Sequence, residues 1–88
     1  MVDFLIDCGI SKMIVNQIEN INVYENLYNF NCNQDNVIEI INYLRELNFE
    51  YIDDLLVNKL DLFFMTISEF KDKYNKYSFY DLMEYIEL

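Results

Sequence analysis

Residues 37–47 read VIEIINYLREL, and their spacing decides the fold class. Val37, Ile40, Ile41, Leu44 and Leu47 recur at i, i+3, i+4, i+7 and i+10, which is one apolar stripe on a helix of about three turns. Glu39, Asn42, Arg45 and Glu46 take the opposite face. Strict alternation of polar and apolar residues persists nowhere, so strands are not expected. Working outward, Val2 to Cys8 reads as a short helix stopped by Gly9, the residue type favoured just past a helix end. Ser11 can cap a second helix running to about Asn20, with Ile14, Ile18 and Ile21 on one side. Tyr24, Leu27 and Tyr28 suggest one or two further turns ending near Asn29. Beyond the central helix, Asn48 acts as a stop, and Glu50 to Asn58 forms another helix burying Ile52, Leu55 and Leu56. Asp61 opens a short turn through Leu62, Phe63 and Phe64. Thr66 with Glu69 matches a capping box for a helix through Tyr74, and Ser78 with Asp81 repeats that logic ahead of Leu82, Met83, Tyr85 and Ile86. The expected fold is all-α, six or seven short helices in a compact bundle or a two-repeat helical array, forming a single domain over residues 1–88.

Punctuation falls to asparagine. The chain has one glycine and no proline but twelve asparagines, and Asn both caps helices and tolerates the left-handed conformation. An internal repeat at a shift of 39 residues pairs Leu5 with Leu44, Ile10 with Phe49, Met13 with Ile52, Ile18 with Val57, Ile21 with Leu60 and Tyr24 with Phe63. Gly9 then falls opposite Asn48. A third start is suggested by the likeness of residues 40–44 to residues 82–86.

Within that repeat, residues 43–74, YLRELNFEYIDDLLVNKLDLFFMTISEFKDKY, resemble one repeat of the mitochondrial transcription termination factor type. Leu44, Leu47, Phe49, Ile52, Leu55, Leu56, Leu62 and Phe63 match its apolar positions, and residues 4–35 match more loosely. The chain departs from the pattern at Asn48, where a turn glycine is usual, and at Leu60, where a proline is usual. The resemblance implies a stacked helical scaffold. It does not carry over the nucleic-acid binding of that family, which uses basic grooves.

Charge explains why. Sixteen Asp and Glu stand against six Lys and Arg with no histidine, a formal charge of −10 over 88 residues. Direct nucleic-acid binding and adhesion to anionic membranes both need cations facing phosphate, so neither is expected. The seven Phe and eight Tyr are too many for a disordered acidic tail. Cys8 and Cys32 sit among apolar neighbours and read as reduced thiols near the core, since a disulfide framework or a zinc site would need more ligands. The start Met1-Val2-Asp3 lacks a basic leader region, and the longest apolar run, Leu62 to Met65, is far too short to span a bilayer. A soluble, cytoplasmic protein is expected.

No residue set points to catalysis. Nucleophilic triads need a base that histidine usually supplies, and phosphate-binding loops need glycines. Asp53-Asp54, with Glu46 and Glu50 nearby, point about 100° apart on a helix and read as a solvated face at a helix start. Asn31, Asn33, Asp35 and Asn36 echo a calcium loop, but its last position, which requires a bidentate Glu, is Asn42. No enzyme activity, cofactor or metal is therefore expected. The reading that leads is a non-enzymatic interaction module or regulator that binds a protein partner through an aromatic-rich surface, with Tyr74, Tyr77, Phe79, Tyr80 and Tyr85 as contact residues. The alternative is an acidic, nucleic-acid-mimicking inhibitor of the anti-CRISPR or anti-restriction kind. It would block the basic channel of a nuclease with Glu46, Glu50, Asp53, Asp54 and Asp61.

Overall fold

The structure is a computed structural model that describes residues 1–75, and these residues form an all-helical globule. Six α-helices are present: α1 Phe4–Asp7, α2 Lys12–Ile21, α3 Tyr24–Cys32, α4 Gln34–Glu46, α5 Ile52–Asn58 and α6 Ile67–Lys73. A 3-10 segment, Leu60–Phe64, stands between α5 and α6. The helix expected after Ser78, with the contact residues Tyr77, Phe79, Tyr80 and Tyr85, lies outside the described residues. So does the third repeat start.

Helix α4 organises the packing. Val37, Ile40, Ile41 and Leu44, four of the five residues in its stripe, are fully buried. Burying each such side chain contributes roughly 1.5–3 kcal/mol, so the stripe supplies about 6–12 kcal/mol of gross stabilisation. Helix α3 lies against one side of α4, with the 3-10 segment and α6 against others, while α2 packs on α5 and α1 on α2. Asn33 is both the last cap of α3 and the first of α4, so the two helices turn on a single residue. Helix α3 continues to Cys32, one turn past the expected end at Asn29, because Leu27 and Phe30 both find the core.

The two turns at Gly9 and Asn48 are copies of one another. Gly9 has φ +88° and Asn48 φ +61°. In the first, the Gly9 amide donates to Ile6 and the Ile10 amide to Leu5. In the second, the Asn48 amide donates to Arg45 and the Phe49 amide to Leu44. Both are Schellman closures, and each buries the apolar pair that accompanies the motif, Leu5 with Ile10 and Leu44 with Phe49. The turns also meet in space, since a Cβ added to Gly9 would sit 3.1 Å from Nη2 of Arg45. Past the turns the correspondence weakens. Val15 is buried where its counterpart Asp54 is exposed, and Ile21 and Tyr24 are exposed where Leu60 and Phe63 are buried. The fifth helix also begins at Ile52, not Glu50, with Tyr51 as its cap residue.

At the far end, Thr66 accepts from the Glu69 amide and Glu69 accepts from the Thr66 amide, completing the expected capping box. Tyr74 ends α6 and is 1 % exposed, its ring 5.1 Å from that of Phe70. The Tyr43 hydroxyl donates to the Tyr74 carbonyl at 3.1 Å. Tyr74, expected at a partner contact, is instead a core residue: the capping box starts α6 in a register that turns Phe70 and Tyr74 inward.

Backbone geometry at the paired turns makes a graded prediction. Gly9→Ala places a side chain at positive φ and against Arg45, and should cost about 1–2 kcal/mol. Asn48→Ala should cost about 1 kcal/mol, while Asn48→Gly should stay within about 0.5 kcal/mol of the parent. Urea unfolding followed by far-UV circular dichroism measures all three; equal losses for Ala and Gly at position 48 would disprove the left-handed turn.

Candidate functional site

Among the described residues, exposed apolar side chains concentrate where α2 hands over to α3. Ile21 is 59 % exposed, Val23 65 %, Tyr24 69 % and Tyr28 54 %. Local structure explains the exposure. Helix α2 ends at Ile21, and Asn22 closes it by donating from Nδ2 to the Ile18 carbonyl at 2.8 Å. Val23 is then extended and caps α3 without a side-chain hydrogen bond, so its isopropyl group stands free of the helix. On α3 the core takes Leu27 and Phe30, while Tyr24 and Tyr28, four residues apart, share the flank that is left exposed. Their rings stack 6.4 Å apart at 20°. Cys32, one turn further, is also exposed. A hydrogen bond with Cys32 pushes the Tyr28 phenol above its ordinary pKa.

Beside this corner runs a groove of about 420 Å³, bordered by Asn22 and Asn26 on one bank and by Val57, Asn58, Asp61 and Phe64 on the other. Phe64 is 41 % exposed and meets Phe30 edge-on at 6.0 Å, which ties the groove floor to the core. A second groove, about 350 Å³, separates α4 from α6. Glu39, Tyr43 and Glu46 line it from α4 and Lys71 from α6, with the Lys71 ammonium 5.3 Å from the Tyr43 ring centre.

The five carboxylates of the acidic set, Glu46, Glu50, Asp53, Asp54 and Asp61, are all exposed. Glu46 lies in the α4–α6 groove and Asp61 in the groove beside the corner, with Asp53 and Asp54 in the first turn of α5. No group of three or more potential metal ligands occurs among the described residues. The asparagines that echo a calcium loop face the other way chemically. Asn33 Nδ2 donates to the Phe63 carbonyl at 3.3 Å, and Asn36 Nδ2 donates to Phe63 at 3.3 Å and to Met65 at 2.5 Å. They present N–H donors to carbonyls at the end of the 3-10 segment, which satisfies groups that a helix terminus leaves open.

Three further groups are tuned. Burial pushes the Cys8 thiol up, partly offset by the Arg45 guanidinium. The amino group of Met1 donates to Glu19 and is raised above 8.0 by that bond, while Glu19 is lowered by the same bond and by the Val2 amide.

The sequence reading places the partner contact at Tyr74 to Tyr85 and not at this corner, where it sets Ile21 on one helix face with Ile14 and Ile18 and pairs Tyr24 with Phe63. The signal that finds it is the distribution of apolar residues around α3. Leu27 and Phe30 already fill the one face that can pack, so Tyr24 and Tyr28 exceed what the core requires.

The amine–carboxylate pair fixes a pH dependence. Glu19's contribution is present above its ordinary value and is lost as pH falls through its lowered folded pKa. The amine's contribution is full below 8.0 and is lost as pH rises through its raised folded pKa. Glu19→Gln should therefore flatten both limbs of the stability–pH curve, read as midpoints of urea unfolding between about pH 3 and pH 10; an unchanged curve would show that the pair does not form in solution. Asn36→Ala should cost about 1–2 kcal/mol in the same assay, because the Met65 carbonyl loses its donor. No family model, no curated protein and no solved structure matches this chain.

Proposed function

We propose that the chain is a non-enzymatic protein-interaction module, and that its partner docks on the aromatic and aliphatic corner between α2 and α3. The observation that carries this reading is the group Ile21, Val23, Tyr24 and Tyr28, each more than half exposed and all within eight residues across one helix junction. Scattered exposed apolar residues are ordinary, whereas a contiguous set keeps water against surface that a partner would release. Tyrosine suits such a surface, giving large contact area for few rotatable bonds and a polar tip that tolerates water in the free state. Of the contact residues expected at Tyr74, Tyr77, Phe79, Tyr80 and Tyr85, Tyr74 alone is described and it is buried, while an exposed aromatic pair lies on α3. Non-enzymatic action is supported by a sequence without histidine.

The acidic-inhibitor reading keeps one specific support, the exposure of Glu46, Glu50, Asp53, Asp54 and Asp61 together with the −10 charge. Salt separates the two. A complex held by apolar contact survives about 1 M salt, where the screening length is about 3 Å, while a carboxylate array on a basic channel is released well below that. The tagged protein, its Tyr24→Ser/Tyr28→Ser variant and its Asp53→Asn/Asp54→Asn variant are used to capture partners from source cells, eluted along a salt gradient. The expected result is a partner that persists at high salt, is lost with the tyrosine variant and is retained by the Asn variant. A partner released by moderate salt or by added DNA, and lost with the Asn variant, would establish the inhibitor instead.

A further inference from the structure

The partner class of that corner follows from the charge around it, an inference that rests on the interaction-module reading. Between Lys12 and Arg45 the chain contains neither lysine nor arginine, whereas it carries Glu19, Glu25, Asp35 and Glu39. The corner lies in the middle of this stretch. Glu25 is exposed and directly follows Tyr24, and Asp61 is exposed in the adjoining groove. The rim of the apolar patch is thus net anionic, with Glu25 and Asp61 set against one cation, Lys59, which stands between the groove residues Asn58 and Leu60. Asn22, Asn26 and Asn58 along the groove offer amide donors and acceptors but no charge.

We infer that the corner docks a basic, apolar-anchored segment of a partner protein, its apolar side chains on Ile21, Val23, Tyr24 and Tyr28 and its Lys or Arg side chains toward Glu25 and Asp61. A second copy of this chain is the poorer occupant. Two such corners facing one another would bring together two net-anionic surfaces on molecules of formal charge −10 each, and like charges across an interface oppose association. An anionic or nucleic-acid occupant meets the same repulsion. A partner that supplies the missing cations gains both faster encounter and a satisfied rim, while the apolar anchors hold the complex.

The test uses a helix-forming peptide of about four turns with leucines at i, i+3, i+4 and i+7 and lysines elsewhere. Its twin carries glutamate in place of every lysine, and a third peptide keeps the lysines but replaces leucine by serine. Binding to the full chain is measured by calorimetry at low and high salt, with chemical-shift mapping of the Tyr24 and Tyr28 rings. The expected result is binding of the leucine–lysine peptide alone, weakened only several-fold by salt, with shifts at both rings. In the Tyr24→Ser/Tyr28→Ser variant, affinity should fall about tenfold or more. Both side chains are exposed, so the variant keeps its fold, which its circular dichroism spectrum and melting temperature confirm. Equal binding by the variant, or by the leucine-free lysine peptide, would show diffuse attraction to an acidic protein and overturn the assignment. Binding of the glutamate twin, or binding of no peptide, would overturn it too. Concentration-dependent dimerisation lost in the variant would give the corner to a second copy. None of these outcomes touches the partner capture described above, which judges the interaction reading separately.

Discussion

Four side chains on α4, Val37, Ile40, Ile41 and Leu44, form the surface on which α3, the 3-10 segment and α6 pack. Their gross contribution, about 6–12 kcal/mol, matches the whole net stability usual for a small domain, about 5–15 kcal/mol. A chain of this length buries only about 60–65 % of its unfolded surface, so it has one core and no reserve. The surrounding helices are short, between four and ten residues, and helices of that size do not persist alone in water. They exist because each lays a few residues on α4 or on a helix that α4 supports.

Short helices multiply the number of ends, and ends leave backbone groups unpaired. With a single glycine and no proline, this chain closes them mostly with asparagine. Asn48 enters the left-handed region in person, Asn22 bonds back to its own helix, and Asn33 and Asn36 reach across to the carbonyls of the 3-10 segment. The last of these joins the α3–α4 junction to the start of α6. It is a tertiary clamp made from residues that a sequence motif would assign to local capping. Asn33 occupies the cap position of α4 but makes no cap hydrogen bond there; its Nδ2 donates instead to the Phe63 carbonyl.

The same distinction explains what the sequence discloses. Periodicity shows the α4 stripe, the Thr66–Glu69 box and the stops at Gly9 and Asn48, since each depends on residues within about one turn of one another. The repeat correspondence holds at the two turns for that reason. It fails beyond them, because whether Val15 or Asp54 faces inward depends on how α2 and α5 roll against each other. Tyr74 illustrates the opposite error. An aromatic residue at a helix end reads as surface until Phe70 and Tyr43 are placed beside it. The corner does not stand out because periodicity sets Ile21 on the stripe of Ile14 and Ile18 and cannot show where the core ends.

Exposure of that corner carries a cost that must be set against solubility. Four large apolar residues in water at one junction favour self-association, and nothing in the local backbone opposes it. What opposes it is charge: a −10 molecule repels its copies at every approach, and the absence of cations between Lys12 and Arg45 denies a second copy the groups it would need to neutralise the rim. The acidity therefore need not be a binding device in itself to serve binding. By keeping like molecules apart, it leaves a surface of Ile21, Val23, Tyr24 and Tyr28 open, and on the proposed reading the sign of the partner's charge becomes part of the recognition.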